Sequence, residues 1–257
     1  MKARAIVQGG LLIACAALAA AASARTLAEL QARGMIALCA NPHALPHASD
    51  QPETPGFQVE IGRALAQALG LKLQVDWIVP RYRASLVDCD MLLDTIADVQ
   101  ALGGRVKLTR AYQKSGVALA LGPGNDAVRG FQDVKPGQRV GVMINSVASK
   151  LLNQRGLNTV PYAFENDMVA DLARGDLDAC AVSPASIAYY IHTHPDARLH
   201  YVHAYDSEPE LAWNLAVGLR RSDEALVAAV NEALDKLIQD GTLARIYATY
   251  GVEFRRP

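Results

Sequence analysis

The chain has 257 residues, of which 51% are hydrophobic and 20% are charged, and its formal net charge is −1. This length holds one large domain or two modest ones, and the hydrophobic content excludes a disordered chain. Because the charge is nearly balanced and no basic run occurs, the composition argues against a nucleic acid partner.

The N-terminus has the pattern of a secretory signal peptide. Lys2 and Arg4 precede an apolar run, and Ala22 and Ala24 stand at the small positions that precede a cleavage site. We predict that residues 1–24 are a signal peptide and that the rest of the chain is exported to the periplasm. One alternative stays open, in which the apolar run anchors the chain in the membrane.

Four cysteines occur, and three of them follow the predicted cleavage site. Export permits disulfides, so one pair and one odd thiol are expected. Cys39 and Cys89 both lie in strand-like segments, and we predict that they pair and leave Cys180 free. Three free thiols remain the alternative. Cys15 ends a loose lipobox, so a lipoprotein is a second alternative to the cleaved leader.

The first part of the mature chain alternates strand and helix patterns. Asn41 and Pro42 interrupt the apolar strand MIALCANP, and Gly70 ends the helical pattern FQVEIGRALAQALG. Further strands are LKLQVDWIV and DMLLDT, with a helix predicted between them. This β-α-β-α-β order favours a parallel sheet.

A similar pattern restarts after GPGND. The predicted strands are RVGVMI, TVPYAF and LDACAV, and the predicted helices are SVASKLLNQRG, capped by Asn145 or Ser146, and ENDMVADLARG. A long helix, SDEALVAAVNEALDKLIQDG, then begins at Ser222 or Asp223 and is interrupted at Gly241. We predict two α/β lobes whose strand ends face one crevice, where open parallel sheets bind ligands.

Several segments resemble the family 3 periplasmic solute-binding proteins across nearly all of the mature chain. They are TPGFQVEIGRALAQALG, RVGVMINSVASKLL, DLARGDLDACAV and AVNEALDKLIQDGTLARIYATYG. The match is closer to the MxaJ/XoxJ branch, whose genes lie beside those of quinoprotein methanol dehydrogenases. That branch is similar in LCANPHALPHASD, RYRASLVDCDMLLDT, RVKLTRAYQKSG and LAWNLAVGLRRSDEAL, and it has cysteines at positions 39 and 89.

The resemblance implies an α/β two-lobed periplasmic-binding-protein fold of type II, with two hinge crossovers and a central cleft. The crossovers would lie near VALALG and AWNLAVGL. The first lobe would comprise residues 25–118 and 217–257, and the second lobe residues 119–216.

The cleft departs from the pattern of the family's amino-acid binders. Arg105 is a candidate for their carboxylate-binding arginine, but its spacing to Tyr112 is shorter than the corresponding spacing in those binders. Ser183 stands where they have an aspartate for the amino group, and a neutral serine does not offset an ammonium charge. The plainer interpretations are a solvated or interface arginine, a helix cap at Ser183 and a turn residue at Asp94.

The full set of predicted cleft residues contains polar and aromatic side chains near strand ends, loops or helix caps. They are Asn41, Tyr82, Asp94, Arg105, Ser146, Ser183 and Trp213.

Neither a metal site nor an active site is indicated. His192 and His194, in HTH, would share one face if that segment were a strand, but no further ligand spacing completes a site. Motifs of hydrolases, phosphate-binding loops, zinc proteases and dinucleotide-binding enzymes are absent from the sequence. We expect no enzyme activity and no cofactor in this chain.

Two functions remain after these exclusions. The resemblance implies a monomeric accessory protein that binds or activates a PQQ-dependent methanol dehydrogenase, including a lanthanide-dependent one, through its cleft. A cleft without a full set of charges fits an apolar peptide better than a zwitterion. The alternative is an ordinary solute-binding protein that delivers a small organic solute to an ABC permease.

Overall fold

The structure is a computed structural model that describes residues 25–79, 87, 89–98, 106–125 and 127–257. The predicted signal peptide therefore lies outside the described residues, as does most of the helix predicted between the second and third strands. Within the described part, no helix is both long enough and apolar enough to cross a membrane.

The first lobe contains a six-stranded sheet. Its strands are β1 (Met35–Ala40), β4 (Lys72–Trp77), β5 (Met91–Ile96), β6 (Val106–Leu108), β7 (Gln113–Gly116) and β13 (Ala212–Arg220). The order is β4-β1-β5-β13-β6, and β7 also pairs with β13. β4, β1 and β5 are parallel, as the β-α-β pattern predicts, whereas β13 is antiparallel to its neighbours.

Among the described residues, four helices belong to this lobe, and a short hairpin joins two of its elements. The helices are α1 (Leu27–Arg33), α2 (Phe57–Ala68), α6 (Glu224–Gln239) and α7 (Thr242–Thr249), and the hairpin strands are β2 (His43–Ala44) and β3 (Ala48–Ser49). Gly56 precedes α2 with φ +86°, and an added Cβ would lie 2.5 Å from the His47 carbonyl oxygen. Only glycine fits there, so the hairpin and α2 are held close together.

The described part of the second lobe contains a five-stranded sheet and three α-helices. The strands are β8 (Ala118–Leu121), β9 (Arg139–Met143), β10 (Asn158–Tyr162), β11 (Ala179–Val182) and β12 (His200–Val202), in the order β10-β9-β11-β8-β12. The helices are α3 (Val147–Gln154), α4 (Glu165–Arg174) and α5 (Pro184–Thr193). Because β10, β9 and β11 are parallel, the helices that follow β10 and β11 begin at the same edge of the sheet.

Two connections join the sheets. β7 passes through Val117 into β8, and the segment after β12 leads into β13. The connections touch each other, because a Cβ on Gly116 would overlap the Leu211 carbonyl oxygen and the Tyr205 ring. The predicted two-lobed fold is thus confirmed, while the exact lobe boundaries stay a prediction.

The predicted disulfide is present. Cys39 and Cys89 are bonded, with their Cα atoms 5.5 Å apart. They are adjacent because Leu38 of β1 lies opposite Met91 of β5 in the parallel register. Cys180 is buried and free, as predicted.

The histidines of the HTH segment do not adopt the arrangement that a strand would give them. The HTH segment is not a strand, because α5 continues through Thr193 and ends at the cap residue His194. Ser183 caps this helix and Pro184 follows at its first position, which are strong start signals that favour continued helix. His192 and His194 therefore do not share a strand face. Within the described ranges, no group of three or more potential metal ligands occurs.

Candidate functional site

The cleft between the lobes contains an outer cavity of about 430 Å³. The first lobe contributes residues of the β2–β3 hairpin region, including Asn41 and His47, and also Val79. The second lobe contributes Phe164 and Glu165, at the start of α4. This volume lies within the range of cavities that hold small organic ligands.

A smaller inner cavity of about 40 Å³ lies near the crossovers. It is lined by Asp94 and Tyr247 of the first lobe, by Ser183 of the second, and by Glu253 near the C-terminus. His47 lines both cavities, so the two are neighbours. The cavities together follow the gap between the lobes from its rim towards the crossovers.

Between the two cavities the second lobe presents a carboxylate. Glu165 Oε1 accepts a hydrogen bond of 2.9 Å from the Ser183 backbone N–H, and Glu165 Oε2 accepts one of 2.6 Å from the Ser183 hydroxyl. The Ser186 hydroxyl donates to Oε2 at 2.5 Å. Three donors thus hold a half-buried carboxylate in a fixed orientation beside the cleft.

The sheet topology explains why these residues meet. α4 begins just after β10 and α5 begins just after β11, and both parallel strands end at the same edge. Glu165 is the first residue of α4, and Ser183 is the cap residue of α5. The plainer interpretation of Ser183 as a helix cap is therefore correct, and the same serine also lies at the cleft.

This arrangement overturns the expectation that the cleft wall at Ser183 has no negative charge. The sequence places a neutral serine where amino-acid binders have an aspartate, which implies that this wall cannot offset an ammonium group. The structure puts the Glu165 carboxylate against Ser183, so the wall has a negative charge supplied by a different helix.

Asp94 lies in the first lobe, on the wall of the inner cavity. Its φ of +52° is unusual for a residue other than glycine, and its carboxylate accepts hydrogen bonds from Gln58 Nε2, at 2.6 Å, and from the Tyr112 hydroxyl. Burial, followed by the charge of Asp94, raises the pKa of Tyr112 well above its usual value, so this phenol remains a donor. The plainer interpretation of Asp94 as a turn residue is therefore wrong: Asp94 lies within β5, and its carboxylate anchors a buried network.

The other predicted residues that the structure describes do not line the inner cavity. Asn41 lines the outer cavity, and its side-chain oxygen accepts a bond of 2.9 Å from the His43 N–H. Ser146 caps α3 by accepting from the Ser149 N–H at 3.0 Å, and it lines neither cavity. Trp213 packs against the cores of both lobes and also lines neither cavity.

Two predicted residues are not tested. Tyr82 and Arg105 lie outside the described residues. The structure therefore brings Asp94 and Ser183 to one cavity and Asn41 to its neighbour, and a ligand-binding role for any of them stays a prediction.

The rim of the cleft has exposed apolar side chains. Phe164 is 67% exposed and Val79 is 50% exposed, and both line the outer cavity from opposite lobes. Ile144 and Val147 are also exposed, on either side of the α3 cap. The cleft thus combines an apolar rim with carboxylates deeper inside.

Comparison with known proteins identifies the family. The model of the bacterial extracellular solute-binding proteins, family 3, matches residues 36–253. The chain belongs to this family. The match spans both lobes, so it agrees with the two-lobed fold.

Curated relatives of this family 3 protein include amino-acid binders. A probable histidine-binding protein of Neisseria gonorrhoeae is 26% identical over 206 residues, covering 76% of this chain and 74% of that protein. The lysine/arginine/ornithine-binding periplasmic protein of Escherichia coli K12 is 26% identical over 209 residues, covering 76% and 78%. The membrane-bound lytic murein transglycosylase F of Yersinia pestis is 25% identical over 246 residues, covering 87% of this chain but 47% of that protein.

Solved structures show the same fold. An ancestral cationic amino acid solute-binding protein superposes with a TM-score of 0.75 at 19% identity, covering 87% of this chain and 98% of that one. A substrate-binding protein of an ABC uptake transporter from Streptococcus pneumoniae, solved with bound histidine, gives 0.67 at 16% identity, covering 89% and 97%.

Sequence reasoning missed Glu165 as a cleft residue of this family 3 protein. The segment ENDMVADLARG predicts a helix, and an acidic residue in its first turn is an ordinary N-terminal feature. A usable signal was its position: Glu165 and Ser183 each start a helix directly after a parallel strand. Their meeting depends on the sheet order, in which β10 and β11 flank β9.

Proposed function

We propose that this family 3 protein is a periplasmic solute-binding protein that holds a small organic solute with a cationic group in its cleft and delivers it to an ABC permease. The observation that carries the proposal is the Glu165 carboxylate, fixed by Ser183 and Ser186 at the cleft wall. A preorganised carboxylate in a partly dry cleft is suited to an ammonium or guanidinium group.

The relatives support this choice of ligand. The Escherichia coli relative is named for lysine, arginine and ornithine, and the Neisseria gonorrhoeae relative for histidine. Asp94 adds a second carboxylate near the inner end of the cleft, and the apolar rim would contact the carbon chain of the solute.

The experiment is a thermal-shift screen of the mature chain with arginine, lysine, ornithine and histidine, and with glutamate as an acidic counterpart. A ligand that binds only the folded protein at a concentration of 100 times its Kd stabilises it by about 2.7 kcal/mol. We expect a shift with at least one cationic compound and none with glutamate. Equal shifts with all compounds, or none with any, would contradict the proposal.

A second function is supported by a different observation. The exposed Phe164 and Val79 face the outer cavity and would suit an apolar polypeptide segment. This observation supports the accessory role implied by the resemblance to the MxaJ/XoxJ branch, with a PQQ-dependent methanol dehydrogenase as partner. Biolayer interferometry with purified dehydrogenase tests it: binding that Phe164→Ser weakens would support the accessory role, and no binding would refute it.

Export and the predicted lobes belong to the same proposal. We infer a signal peptide of residues 1–24, and N-terminal sequencing of the protein from a periplasmic extract tests this, with Arg25 as the expected first residue. The first lobe is proposed as residues 25–118 and 217–257, and the second as residues 119–216. The chain itself is proposed to act as a monomer, without a cofactor and without catalysis.

A further inference from the structure

The last helix among the described residues, α7, is followed by residues 252–257, which lie outside helices and strands and are called the tail here. Val252 is buried in the core of the first lobe, and the Phe254 ring stacks on Tyr247 with centroids 5.7 Å apart. This tail is therefore anchored to the first lobe by Val252 and Phe254.

The alternate side chains of the tail contact the second lobe. The carboxylate of Glu253 lies 3.1 Å from His203 Nε2. Arg255 Nη2 lies 2.8 Å from an oxygen of Asp206, and Arg255 Nη1 donates to the Tyr205 hydroxyl at 2.8 Å. In an extended chain successive side chains point to opposite sides, which explains how one short segment contacts both lobes.

One partner of the tail, Tyr205, belongs to the core of the second lobe. Tyr205 is buried there, and the guanidinium of Arg255 lies 5.2 Å from the centroid of its ring. Such a cation–π contact adds to the ion pair with Asp206. The contact is only partly exposed, with 24% of the Arg255 side chain and 39% of the Asp206 side chain accessible.

The tail also contacts both crossovers. Lys114 of β7 donates its backbone N–H to the Arg255 carbonyl at 2.8 Å, and its ammonium lies 2.8 Å from Asp206. β7 leads into the second lobe through Val117, and the segment that contains Tyr205 and Asp206 leads back into β13. Residues 252–257 are thus bonded to the two segments that a rotation of the lobes would bend.

We propose that residues 252–257 form a hinge brace that limits the opening of the lobes. The ion pair and the cation–π contact of Arg255 join the anchored tail to the second lobe, so a rotation about the crossovers must change or break them. Val252 and Glu253 also line the inner cavity, which places the brace at the inner end of the cleft. Loss of the brace would let the lobes sample more open arrangements.

The test measures the distance between the lobes in the ligand-free protein by double electron–electron resonance. Spin labels are attached at Gln67→Cys on α2 and Gln154→Cys on α3, which are exposed positions in different lobes. Of the native cysteines after the predicted leader, two are bonded and Cys180 is buried. Because no ligand is added, the result does not depend on the proposed function.

The key variant is Arg255→Ala, and its matched control is Arg256→Ala, which removes the same charge from the exposed neighbouring residue. We expect Arg255→Ala to broaden the distance distribution towards longer values, and Arg256→Ala to match the parent protein. A folded Arg255→Ala variant with an unchanged distribution would overturn the proposal, even if its melting temperature fell. If Arg255→Ala does not fold, Glu253→Gln is measured instead. A broader distance distribution would support the brace, and an unchanged distribution would overturn it.

Discussion

The substitution Glu165→Gln tests the cleft carboxylate directly. It keeps the shape of the side chain and removes its charge, while the oxygen that faces the Ser183 N–H can be retained. A hydrogen bond to a charged group contributes about 1.5–3 kcal/mol. If a cationic group of the solute binds this carboxylate, the loss of one such bond weakens binding by about 10- to 150-fold.

The assay is a calorimetric titration with the compound that gives the largest thermal shift. Asp167→Asn is the matched control, because Asp167 is an exposed acidic residue in the same first turn of α4. We expect the control to bind like the parent protein, since it changes the charge near the cleft equally but leaves the Glu165 cluster intact. A folded Glu165→Gln variant with an affinity within twofold of the parent would refute the assigned role of Glu165.

Three further predictions concern stability and reactivity. Replacing both Cys39 and Cys89 by serine removes a disulfide with a sequence separation of 50, which should lower the free energy of unfolding by about 4 kcal/mol in urea titrations; a loss below about 1 kcal/mol would contradict this. Burial raises the pKa of the Cys180 thiol, so it should react with a thiol reagent only after unfolding, and rapid labelling of the native protein would show that it is accessible. Burial tends to raise the pKa of Asp206, but hydrogen bonds from Lys114 and Arg255 and their charges lower it overall. A carboxyl whose pKa is lower in the folded state stabilises the protein at pH values above its unfolded pKa of about 3.9. The difference in unfolding free energy between the parent and Arg255→Ala should therefore shrink as the pH falls below about 4. A difference that stays constant with pH would contradict this prediction.

Local signals predicted most of the elements. Apolar runs such as MIALC and LDACAV are strands, and the expected cap residues Ser146 and Asp223 start α3 and α6. Strands and helix caps of this kind are determined by residues a few positions apart, so a local pattern is enough to predict them. The sequence left the conformation of the HTH segment open because a short polar stretch has no clear period, whereas in the structure the segment ends the helix that Ser183 caps.

The site was predictable only in part, because its key contacts join distant segments. Glu165 reaches Ser183 across 18 positions, and Arg255 reaches Tyr205 across 50. Such contacts follow from the order of the strands and from the path of the tail, neither of which is encoded in a local pattern. The charge of the cleft therefore could not be read from the residue at position 183 alone.

The most direct test of the account is a calorimetric titration of the mature protein with arginine, lysine, ornithine and histidine at equilibrium. The account predicts saturable binding of at least one of them at a single site per chain, with loss of affinity in Glu165→Gln. Absence of binding with all four compounds would contradict it, and saturable binding to a methanol dehydrogenase would then favour the accessory role.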